Sequence, residues 1–152
     1  DLVYGPQREN LATDCGDFII RRSDGVFSYQ LAVVIDDALM GVNTICRGRD
    51  LLSSTPRQLF LYDLFNFSRP QYLHVPLLTA PDGRRLSKRD RDLDIEYLLA
   101  RFSPKELIGK LAYLSGLIPE YLPVSPEELV KLASFDHQQK NDLVLTSSFF
   151  AQ

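Results

Sequence analysis

Between Phe18 and Gly41 the apolar positions change period once. Phe18-Ile19-Ile20 is an unbroken apolar run, Asp24-Gly25 is a tight-turn pair, and Leu31, Val34, Ile35, Ala38 and Leu39 then recur at helical spacing. This pattern predicts a short strand, a turn and an amphipathic helix that stops at Gly41. The following "VNTICRG" reads as a buried strand. In "SSTPRQLFLYDLF" Thr55 is placed to cap a helix and Pro56 to occupy its first position, where the missing N–H costs nothing. "QYLHVPLLTAPDGRRLSK" returns to extended structure, with Pro76 favouring an edge position and Pro81-Asp82-Gly83 a turn.

From residue 92 to about residue 134 the pattern is helical. Ser103-Pro104 and Ser125-Pro126 are each followed by glutamate at the third helical position, Glu106 and Glu128, which is the capping-box arrangement. The tail from Asp136 reads either as a short helix or as a segment packing through Leu143, Val144, Leu145 and Phe149. Alternating strands and helices followed by helices alone predict an α/β fold, with a mostly parallel sheet in residues 1–83 and a short helical subdomain in 84–152. Three strands make a small sheet for an independent α/β domain, so further strands are expected ahead of residue 1.

Composition narrows the class. With 152 residues, 45% hydrophobic and 24% charged, the chain suits one ordinary domain with a buried core. No stretch of about 18 apolar residues is present and the start lacks the pattern of a signal peptide, so a cytoplasmic protein with no membrane segment is expected. Cys15 and Cys46 are not in a C-x-x-C pair, and with two histidines no zinc-ligand spacing is visible; idle or buried thiols are expected. A formal net charge of −3 argues against polyanion binding by the whole surface but leaves room for a local basic site.

One such site stands out. "RRLSKRD", residues 84–90, places Arg84, Arg85, Lys88 and Arg89 around Leu86-Ser87, with Arg91 just beyond. A loop of this kind suits a polyphosphate whose charge must be neutralised as a bond breaks, or it is a solvated charged turn. Asp36 and Asp37 are adjacent on a predicted helix and point about 100° apart, so they cannot form a catalytic pair on one face. His74 in a strand is expected to be a satisfied structural histidine, and Asp50 could cap a turn or orient Arg47.

Leu86-Ser87-Lys88-Arg89 resembles the second signature of class I aminoacyl-tRNA synthetases in its glutamyl form. "SDGVFSYQLAVVIDDALMGV", "RGRDLLSSTPRQ" and "YLHVPLL" precede it in the order of the glutamyl-tRNA synthetase family, so the resemblance covers roughly residues 16 to 120. Within the family, "YQLAVVIDD" and "RGRDLLSSTPRQ" are most similar to the shortened branch that attaches glutamate to queuosine of tRNA(Asp). The chain ends too soon after Arg89 for the anticodon-binding region of ordinary members. The resemblance implies a Rossmann-like catalytic domain, of which this chain is expected to be the C-terminal half, and glutamate, ATP with Mg2+, and tRNA as reactants.

By resemblance, Tyr29 and Arg47 contact glutamate and Lys88 contacts ATP as the catalytic cation, within a loop that includes Arg85, Leu86, Ser87 and Arg89. The chemistry is apt: arginine grips a carboxylate in two-pronged fashion, tyrosine donates a hydroxyl, and lysine stabilises charge on the α-phosphate and departing pyrophosphate. Arg85 replaces the signature's first lysine and Arg49 a usually small residue, while the family's first signature is missing, as expected of a fragment inactive alone. A fragment of an ordinary glutamyl-tRNA synthetase, or a non-catalytic tRNA- or protein-binding relative, would share these features.

Overall fold

The structure, a computed structural model, describes residues 1–84, 86 and 95–146. It divides into two compact units, Asp1–Val75 and Pro76–Gln152.

In the first unit a π-helical turn, Leu11–Cys15, precedes α1 (Tyr29–Leu39), β1 (Thr44–Gly48), a 3-10 turn (Arg49–Ser54), α2 (Thr55–Leu64) and β2 (Gln71–Val75). Ser28 caps α1 by accepting the Leu31 N–H, and Gly41 ends it in the left-handed region at φ 71°. β1 and β2 pair in parallel, Thr44 opposite Gln71 through Gly48 opposite Val75, with α2 in the connection between them. Val34 of α1 and Leu61 and Tyr62 of α2 form the core, against which Phe18, Val33, Ala38 and Phe67 pack.

Three local expectations need correction. Phe18–Ile20 is not a ladder strand: the chain makes one antiparallel bridge, Arg21 to Phe27, around the Asp24-Gly25 turn, and Ile19 and Ile20 are exposed. The turn takes the Ile20 carbonyl, which accepts from the Ser28 N–H. β1 is extended but not buried, because β2 is its sole strand partner among the described residues. Thr55 is not a cap; it sits inside α2 and spends its hydroxyl elsewhere, while Pro56 does occupy the first turn.

The second unit holds β3 (Leu78–Thr79), α3 (Ile95–Leu99), α4 (Pro104–Leu114), α5 (Pro126–Leu132) and β4 (Leu143–Val144). Both capping boxes are present as the sequence predicts: Ser103 with Glu106, and Ser125 with Glu128. Leu98, Phe102 and Leu107 form its core. The ambiguous tail resolves as β4, parallel to β3, with Leu145 buried. The Pro81-Asp82-Gly83 turn forms as expected, with Gly83 at φ 80°.

Candidate functional site

Arg47, next to last in β1, lies opposite His74 of β2. Its Nε–H donates to His74 Nε2 at 3.0 Å, Nη1 to Gln58 Oε1 at 2.8 Å, and Nη2 to Thr55 Oγ1 at 2.8 Å and the Leu51 carbonyl at 3.3 Å. The guanidinium also lies over the Tyr72 ring, 5.0 Å from its centroid. Parallel pairing of β1 with β2 supplies the histidine, and the first turns of α2 supply Thr55 and Gln58. All four hydrogen-bond partners are neutral, so the network orients the charge without cancelling it. One Nη1 hydrogen is left over among the described contacts. A two-pronged grip on a carboxylate would require the long Leu51 bond to yield as well.

His74 is fully buried, and its ring stacks on Tyr72 with centroids 6.1 Å apart. Its Nδ1 lies 2.6 Å from Asp1 Oδ2. Because Nε2 accepts from Arg47, the ring's proton belongs on Nδ1, donated to Asp1. Burial, then the Arg47 charge, holds its pKa down to about 4, so the ring is neutral. The Asp1 carboxylate pulls the other way, but a second ring proton would point at the guanidinium. The expected structural histidine is therefore present, with Arg47 as one of its partners.

Gln58, also buried, turns its amide nitrogen to Gln30 Oε1 at 2.8 Å, and Gln30 in turn donates to Ser54 Oγ at 3.1 Å. Sequence reasoning missed this relay. Its signal was the buried stripe of α2, Thr55, Gln58, Leu61 and Tyr62, which carries two polar residues where a helix normally buries apolar ones.

Tyr29 is the first residue of α1 and more than half exposed. It shares a neighbourhood with Arg47: the Tyr72 hydroxyl is pushed up to about 12 mainly by burial and then by Tyr62, with Arg47 opposing and Asp37 and Tyr29 adding to the rise. Asp37 is raised chiefly by burial, against the pull of Arg47. The Tyr62 and Tyr72 hydroxyls are buried without a hydrogen-bond partner among the described residues.

Lys88, Arg85, Ser87 and Arg89 lie outside the described residues. Leu86 is half-buried, its N–H directed at the Leu78 carbonyl at 3.4 Å. Of the thiols, Cys46 is exposed and Cys15 half-buried, accepting from Arg57 Nε at 2.8 Å. Among the described residues no group of three or more His, Cys, Asp or Glu side chains could hold a metal ion, and no helix is long and apolar enough to cross a membrane.

An α/β unit presenting a caged arginine, in a chain with a synthetase-like signature, matches one family. The chain belongs to the class I tRNA synthetases (E and Q), whose catalytic-domain description matches residues 1–147. Among curated relatives it is similar to the glutamyl-Q tRNA(Asp) synthetases of Nitratidesulfovibrio vulgaris, 50% identical over 135 residues, and Symbiobacterium thermophilum, 51% over 131. These alignments take in 88% and 86% of this chain but 42% and 40% of the relatives, so it spans about two fifths of their length. The glutamyl-Q tRNA(Asp) synthetase of Geobacter sulfurreducens is 58% identical over 95 residues, 62% of this chain and 30% of the relative. Among solved structures, the glutamate tRNA ligase of Elizabethkingia meningosepticum, in complex with its amino acid, superposes with a TM-score of 0.69 at 24% identity, covering 86% of this chain and 30% of that one. The fold is thus part of a class I catalytic domain.

Proposed function

We propose that this chain supplies the C-terminal half of the catalytic domain, residues 1–83, and the signature loop with its helical extension, residues 84–152, of an ATP-dependent ligase that activates glutamate and transfers it to queuosine of tRNA(Asp). The observation that carries the reading is the half-buried Arg47 guanidinium, whose four acceptors are all neutral and so leave its charge for an anion. Similarity to glutamyl-Q tRNA(Asp) synthetases supports both the amino acid and the acceptor.

In the first step a glutamate carboxylate oxygen attacks the α-phosphorus of ATP and expels pyrophosphate, leaving glutamyl-adenylate. In the second a queuosine hydroxyl takes the glutamyl group, loses its proton and releases AMP. Arg47 and the Tyr29 hydroxyl hold glutamate. Lys88, supported by Arg85, Leu86, Ser87 and Arg89, offsets the charge that builds on the α-phosphate and pyrophosphate, a contribution of about 10²–10³ in rate for a single well-placed donor. Mg2+ would accompany the nucleotide and would neutralise phosphate charge. The reaction is cytoplasmic, where charged tRNA is used.

The test is transfer of radiolabelled glutamate by the complete gene product, with ATP and two acceptors. Labelling of queuosine-containing tRNA(Asp) alone is expected. Labelling of tRNA(Glu) would assign the chain to the ordinary synthetases, and labelling of neither would favour a non-catalytic role.

A further inference from the structure

Arg47 has five N–H groups, and where each one points is decided by residues outside its own strand. The Nε–H bond exists only while His74 Nε2 carries a lone pair, and Asp1 fixes that tautomer by accepting from Nδ1 at 2.6 Å. The Nη1 bond exists only while Gln58 turns its oxygen toward β1, and Gln30 fixes that orientation by accepting from the Gln58 amide nitrogen at 2.8 Å. His74 and Gln58 are both directional, buried and uncharged acceptors. An aspartate or glutamate in either place would hold the arginine as firmly while cancelling the charge an anionic ligand needs.

We propose that His74 and Gln58 are positioning residues for the amino-acid substrate: a neutral pair that locks the Arg47 guanidinium and leaves its charge and remaining Nη1–H for a substrate carboxylate. The proposal deepens the glutamate reading above and rests on it for the identity of the ligand.

Three variants of the complete gene product test it: His74→Leu, His74→Gln and Gln58→Glu. Glutamate-dependent exchange of pyrophosphate into ATP gives KM for glutamate and for ATP separately. Gln58→Glu keeps the shape and the acceptor for Arg47 Nη1 but adds a negative charge and gives up the donor to Gln30; it is expected to raise the glutamate KM by at least roughly tenfold and leave the ATP KM unmoved. His74→Leu is expected to do the same through loss of orientation, and His74→Gln, whose Oε1 can replace Nε2 as acceptor, to stay within about threefold of wild type. Unmoved glutamate KM values, or glutamate and ATP KM rising together, overturn the proposal.

A second readout needs no glutamate. In nitrogen-15 spectra the Arg47 Nε–H should exchange slowly in wild type and His74→Gln, and fast in His74→Leu. If the exchange rates do not differ, positioning of Arg47 is overturned. If they differ as expected but wild type shows no glutamate-dependent exchange, the glutamate reading fails and the positioning of Arg47 stands.

Discussion

At the scale of single residues, His74 has to stay neutral to keep its place. It faces Arg47 from its partner strand, the Asp1 carboxylate, and Asp50 from the turn after β1. The folded ring titrates at about 4, against the usual 6.5, mainly because it is buried. The unfolded chain therefore takes up this proton first. The stability due to His74 is complete above pH 6.5 and is lost as pH falls from there toward 4, by up to about 3 kcal/mol for a displacement of this size. Urea unfolding of wild type and His74→Gln between pH 7 and 4 checks this: the wild type should lose stability more steeply over that window. Parallel curves would mean that the ring is not held neutral. The resemblance singled out Arg47, through its place in "RGRDLLSSTPRQ", as a glutamate contact. Its cage was not legible in the sequence, because His74 lies 27 positions away and Gln58 11, separations that no local periodicity reports.

At the scale of elements, capping chemistry was readable and burial was not. Ser-Pro-x-Glu specifies a helix start through bonds within four residues, so both boxes formed where expected. Whether "VNTICRG" is buried depends on what covers it, and the local pattern is silent on that. Gly109 shows the same limit: inside α4 it looks like a mere weak point. In the fold a Cβ there would come within 2.0 Å of the Leu122 carbonyl oxygen and 3.3 Å of the Pro123 Cα. Gly109→Ala gains about 1 kcal/mol of helix propensity. The clash is with main chain, which no side-chain rotation relieves, so overpacking at or beyond the upper end of about 1–3 kcal/mol decides the sign. A net loss of at least about 1 kcal/mol is expected, read as a lower Tm. An unchanged or higher Tm would show that the 122–123 segment does not press on α4.

At the scale of the whole molecule, the proposed function requires a chain of net charge −3 to hold a tRNA. A uniformly acidic surface repels nucleic acid, so attraction has to be local, and residues 84–91 concentrate five of the seventeen basic side chains. Arg84 is already engaged, its Nε 3.3 Å from Asp82 Oδ2 in an exposed pair worth little. In the reading proposed above Arg85, Lys88 and Arg89 serve ATP, which leaves Arg91 as the basic residue of this stretch to test against tRNA phosphates. Each phosphate neutralised releases counterions, and binding then weakens with salt by about 0.7–0.9 in the log–log slope per contact. Binding of tRNA(Asp) by the complete gene product should therefore fall steeply with salt. Replacing Arg91 by alanine should flatten the slope by roughly one. A slope unchanged by this substitution would place the phosphate contacts elsewhere and leave the loop to the nucleotide alone.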